Sequence, residues 1–143
     1  MIRKNFLLLI ILITLSLSTI ADDHTFVMVT SVETETTSLS SKELRRLYLG
    51  LTVTKNDNHI IPIRNHSDDT LHEVFLQKIM FMSSRTYERQ LNLRTIKRGL
   101  KPPMKFESQQ AIVETLINNK NSVAYMWEDQ ASRNPQLQII KTR

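Results

Sequence analysis

The chain contains no cysteine, which excludes disulfides, thiolate metal sites, thiol nucleophiles and thiol redox chemistry together. It has two glycines, Gly50 and Gly99, and neither sits in a glycine-rich phosphate loop. Nucleotide binding through a P-loop or a Rossmann turn is therefore disfavoured. No serine lies in a G-x-S-x-G elbow or beside an obvious base, so serine hydrolase chemistry has no support. The longest apolar run, FLLLIILITL, is about ten residues, against the roughly 20 that a spanning helix needs. We therefore expect no enzyme and no cofactor.

What is present begins with an address. MIRKN is a positive n-region, the apolar run follows, and SLSTIA ends on small residues suited to cleavage after Ala21. We read residues 1–21 as a secretory signal peptide and 22–143 as the mature domain, exported to the periplasm with no stable membrane insertion after cleavage. A lipoprotein is excluded, because no cysteine is available to carry the lipid. Losing Arg3 and Lys4, and no acid, lowers the formal charge from +5 to +3. A mature chain of about 120 residues suits one core.

HTFVMVTSV reads as a strand beginning near residue 24. In LSSKELRRLYLG, Ser40 is placed as a helix cap, Glu43 closes a capping box, Leu39 and Leu44 form a hydrophobic staple, and Gly50 ends the helix. A turn at 55 to 58 leads into a strand around 59 to 64, where Pro62 suggests an edge or a bulge. Leu71, Val74, Phe75 and Ile79 recur at helical spacing and predict a helix over 70 to 80, with Thr70 and Glu73 as a capping box and Asp69 as the competing cap. A further helix is predicted from 84 to 98, with Tyr87, Leu91 and Ile96 inward, stopped by Gly99, Pro102 and Pro103. Ser108 caps a helix burying Ala111, Ile112, Thr115 and Leu116, and SVAYMW and LQIIKT read as strands. The order of elements predicts an α/β fold, a mixed sheet flanked by helices.

SLSSKELRRLYLG, IIPIRNHSDDTLHEVFLQKIM, YERQL leading to GLKPP, and AIVETLINNKNSVAYM occur in that order. Together they resemble the short phosphate ABC transporter substrate-binding-like proteins, which carry a PBP-like domain. The resemblance covers nearly the whole mature chain. It implies a type 2 periplasmic-binding-protein-like single domain, an exported location, and phosphate or a related oxyanion as ligand.

For that ligand the turn RNHSDDT offers Arg64, Ser67 and Thr70 as donors at a helix N-terminus, with Ser38, Ser40 and Ser41 as second-side donors. The chain departs from the family in that Asp68 and Asp69 stand where glycines would let an oxyanion approach, and Ser122 and Ala124 stand where the late strand favours glycine. Two readings follow. One is a periplasmic oxyanion-binding protein serving ABC transport or sensing. The other is a fold that has lost its ligand and serves as an interaction module for a transporter, a sensor or an envelope protein.

His66 and His72 flank the two aspartates, but their spacing matches no strong metal motif, and we read no metal site. Arg85, Arg89, Arg94, Lys97, Arg98, Lys101 and Lys105 form a basic tract. Export removes it from the nucleic-acid pool, so it reads as a solvated helix face or a dock for an acidic or anionic surface. Trp127 reads as a cover for the edge of the core.

Overall fold

The central strand is the one whose sequence is apolar almost without interruption. In β7 (Ser122–Trp127, SVAYMW) all six residues are buried, the pattern of a strand covered on both faces. The structure, a computed structural model, describes residues 24–143. The segment 1–21 read as a signal peptide lies outside the described residues.

Around β7 stand β1 (Phe26–Ser31), β2 (Ser38–Leu39), β5 (Ile61–Asn65), β6 (Met104–Phe106) and β8 (Leu137–Thr142), in the order β2-β8-β1-β7-β5-β6. β1 runs antiparallel to both β7 and β8, while β5 is parallel to β7 and β6, and β2 to β8. Five of the six strands therefore point the same way. Their carboxyl ends share one rim of the sheet, the side on which open α/β sheets hold ligands.

Helix α1 (Ser41–Tyr48) begins as its sequence predicts. Ser40 Oγ accepts from Glu43 N at 3.2 Å and Glu43 Oε2 accepts from Ser40 N at 2.8 Å. Leu39 and Leu44 are both buried. At Gly50 φ is +83°, and a Cβ would meet Lys101 O at 3.0 Å, so glycine ends this helix for two reasons. The turn after it is a tight hairpin of β3 (Thr54–Lys55) and β4 (Asn58–His59), with Asn56 and Asp57 both at positive φ, as a two-residue loop of mirror-image turn type requires.

Pro62 lies in an internal strand, yet its position obeys the edge rule locally. β7 pairs with β5 at residues 61 and 62, and β6 joins from Ile63 onward. The missing N–H thus falls where one flank is unpaired.

The helix predicted over 70 to 80 is in fact two pieces. α2 (Asp69–Phe75) passes into one turn of π-helix at Leu76–Met80, closed by Phe81 in the left-handed region. Its cap is Asp68, not Asp69 or Thr70. α3 (Ser84–Arg98) has the predicted bounds and buries Tyr87 and Leu91, but Ile96 is 81% exposed. α4 (Gln109–Asn118) is capped by Ser108 and buries Ile112 and Leu116. Strand β6 and the short helix α5 (Glu128–Ser132) carry no clear sequence signal. Among the described residues no helix is long and apolar enough to cross a membrane.

An aromatic cluster fills the space between β7 and the helices. Phe75 stacks on Tyr125 with centroids 4.0 Å apart and planes within 3°, and meets Tyr48 edge-on at 4.7 Å. Tyr87 Oη donates to Tyr48 O at 2.6 Å. Tyr48 Oη lies between Ile63 O and Val123 O at 3.1 and 3.2 Å, so its buried hydroxyl is satisfied where β5 and β7 meet.

Candidate functional site

The turn 64–70 sits at the carboxyl end of β5, on the shared rim. Its first residue is the most constrained. Arg64 is 7% exposed; Nε donates to Pro103 O at 3.1 Å and Nη1 to Glu88 Oε1 at 2.8 Å. Glu88, on α3, is half exposed. The guanidinium is therefore already paired with a carboxylate.

Asn65, which sequence reasoning did not single out, is the brace of the turn. It is fully buried, its Nδ2 donates to Tyr125 O at 2.9 Å, and its Oδ1 accepts from Ser67 N at 3.0 Å and from Ser67 Oγ at 2.6 Å. Ser67 Oγ also lies 3.3 Å from Gln109 Oε1. Only the Asx-type spacing of Asn65 and Ser67 hinted at this; the bond to Tyr125 joins residues 60 apart in sequence.

The next two residues are the carboxylates. Asp68 Oδ1 accepts from Leu71 N at 3.0 Å and Oδ2 from the Trp127 indole Nε1 at 2.9 Å. The Leu71 N–H, and then the indole, hold its carboxyl below the usual range. The N-terminus of α2 thus already holds an anion that the chain supplies itself. Asp69 and Thr70 are exposed. Trp127 is buried, as its sequence position suggests, and through Asp68 it ties β7 to this turn.

Behind the turn, the His66 and His72 rings meet with centroids 4.0 Å apart and planes tilted by 36°. His72 Nδ1 and Tyr125 Oη are 2.8 Å apart. The Nε2 atoms of both histidines are buried without a hydrogen-bond partner. Burial, then the neighbouring His66, Arg64 and Lys105, push His72 down to about 4; burial and Arg64 push His66 in the same direction. Both rings are neutral at neutral pH. Among the described residues no group of three or more metal-ligating side chains converges.

Ser38 and Ser40 occupy the same rim but not the same place. Ser38 is in β2, and Ser40 Oγ belongs to the α1 capping box, whose Glu43 pairs with Lys55 at 2.7 Å. Three strands separate β2 from β5, and four spacings of about 4.8 Å amount to roughly 19 Å. Arg64, Ser67 and Thr70 belong to one turn of the chain, whereas Ser38 and Ser40 lie three strands away on the same rim.

No family model matches the chain, and no curated protein is similar to it in sequence. Solved structures are similar to it in fold. The Borrelia burgdorferi PstS superimposes with a TM-score of 0.61 at 14% identity, covering 84% of this chain and 47% of its own. A Clostridium perfringens substrate-binding protein assigned to a phosphate ABC transporter, with phosphate bound, gives 0.58 at 14% over 83% of this chain and 45% of its own. An ABC-type phosphate transport receptor from Vibrio cholerae gives 0.52 at 15%, covering 83% and 46%. The chain spans less than half the length of these proteins. It has the periplasmic-binding-protein-like fold of phosphate ABC transporter substrate-binding proteins.

Proposed function

We propose that this chain is a non-enzymatic periplasmic binding domain for phosphate or a related oxyanion, acting with an ABC transporter or in sensing. The observation that carries the proposal is the fold shared with phosphate-binding proteins over more than four-fifths of the chain, with the Arg64, Ser67 and Thr70 donors on the ligand-bearing rim. The anion is held by Arg64 and the Thr70 hydroxyl, and by Ser67 once its hydroxyl turns away from Asn65 Oδ1. Asp68 and Asp69 oppose it, so binding is weak and favours a protonated phosphate, which can donate a hydrogen bond to a carboxylate.

The test is isothermal titration of the protein with phosphate at low salt, with sulfate as comparison. Thr70 is exposed and only its backbone N–H is bonded, to the Asp68 carboxylate, so Thr70→Val is expected to keep the fold and weaken phosphate about tenfold, the worth of one hydrogen bond to a charged group. Asp68→Asn keeps a good cap and removes one charge beside the ligand, so affinity is expected to rise about fivefold, about 1 kcal/mol at water-like screening. A folded protein that takes up no phosphate, alone or as Asp68→Asn, would overturn the reading.

The second reading has a specific observation behind it. Asp68 fills the α2 N-terminus and Glu88 occupies Arg64, which is how a site looks when its own carboxylates have replaced the ligand. The chain would then serve as an interaction module.

A further inference from the structure

Helix α3 turns Tyr87 and Leu91 into the core and leaves its opposite face uncovered. Leu93 is 45% and Ile96 81% exposed. Positions 85, 89, 93 and 96 follow one outward line at helical spacing, so Arg85 and Arg89 precede the two aliphatic residues on the same face. On the flank, Gln90, Leu93, Arg94, Lys97 and Arg98 line a shallow notch of about 200 Å³. Arg94 Nε is buried there without a hydrogen-bond partner.

The charge on this face has one sign. The single acid of α3, Glu88, is drawn away to Arg64. Among the described residues Arg85, Arg89, Arg94, Lys97 and Arg98 enter no ion pair. We propose that this face of α3 docks on an anionic phospholipid surface, with headgroup phosphates at Arg94, Lys97 and Arg98 and with Leu93 and Ile96 entering the boundary between headgroups and acyl chains.

Two features select a lipid surface over a protein. The face is the convex side of a single helix and carries no aromatic anchor, whereas protein interfaces centre on aromatic residues seated in pockets. Aliphatic residues flanked by arginine and lysine are the composition of a helix lying at a membrane interface. Attachment of this kind is peripheral, driven by charge and shallow burial rather than by spanning.

Because the chain has no cysteine, Asn92→Cys, exposed on α3, accepts a single environment-sensitive fluorophore. The signal is then local to α3 and does not report binding by the N-terminal segment. Phosphatidylcholine vesicles containing phosphatidylglycerol are expected to shift the emission to the blue, and pure phosphatidylcholine vesicles are not. The combined Arg94→Ala, Lys97→Ala and Arg98→Ala variant is expected to weaken the response roughly a hundredfold, at the usual strength of a basic residue near an anionic surface. The Leu93→Ser and Ile96→Ser pair is expected to abolish the blue shift. Apart from half-buried Arg94 these residues are exposed, and circular dichroism checks that the variants fold.

An equal shift on neutral vesicles, or none on anionic ones, overturns the proposal. A response to polyglutamate that matches the anionic vesicles assigns the face to an acidic protein instead. Competition by inorganic phosphate, where sodium chloride of equal ionic strength has no effect, reduces the notch to a free-anion site.

Discussion

Replacing Phe75 by alanine is expected to destabilise the protein by about 3–5 kcal/mol, the range for deleting a large aromatic side chain from a packed core. Phe75 is fully buried. Its ring lies face to face with Tyr125, edge-on to Tyr48, and 6.3 Å from Tyr87. The neighbours cannot close the hole, because Tyr48 and Tyr87 are held by hydroxyl bonds to backbone carbonyls. Small domains are stable by only about 5–15 kcal/mol, so the loss is a large share of the total. Urea unfolding measures it, with Phe75→Leu as the milder comparison. A midpoint equal to that of the parent would show that the cluster is not packed as described.

The second large effect is with pH. His72 titrates near 6.5 when unfolded and at about 4 when folded. Between those values the unfolded chain binds the proton and the native protein does not, so stability is complete above about pH 6.5 and falls as the pH drops toward 4. A depression of this size corresponds to about 3 kcal/mol. His66, pushed the same way by burial and by Arg64, adds to the fall. Asp68 and Glu43 have lowered folded values, so their contribution is lost only as the pH falls below the ordinary carboxylate range. The histidine step therefore comes first on acidification. Urea midpoints from pH 7.5 to 4 should slope steeply in the parent and flatten in His72→Gln, which retains a hydrogen-bonding group toward Tyr125. Equal slopes would show that another group drives the acid loss.

Much of the fold could be read locally. The α1 capping box, both glycine stops, the bounds of α3, the Ser108 cap and the apolar β7 follow from propensity, capping and periodicity, because each depends on residues within a few positions of one another. The π-helical turn at Leu76–Met80 could not be foreseen, since its apolar residues fit a continuous helix equally well. Strand β6 is three residues with little β character, and it forms only because β5 offers it an edge. Ile96 completed an inward stripe in sequence, but α3 packs through its first half and leaves that position uncovered.

The sequence by itself determined the absence of thiol chemistry, the order of the main helices and strands though not β2, β6 or α5, and the placing of Arg64, Ser67 and Thr70 around one turn, because composition and short-range spacing are properties of the chain alone. Only the tertiary structure decided what those residues do there. It drew Glu88 to Arg64 across 24 positions and Trp127 to Asp68 across 59, and it set Ser38 and Ser40 on a different stretch of the rim. The physical reason is that a buried charge or polar group takes whichever partner packing brings within bonding distance, and that distance is unrelated to separation along the chain.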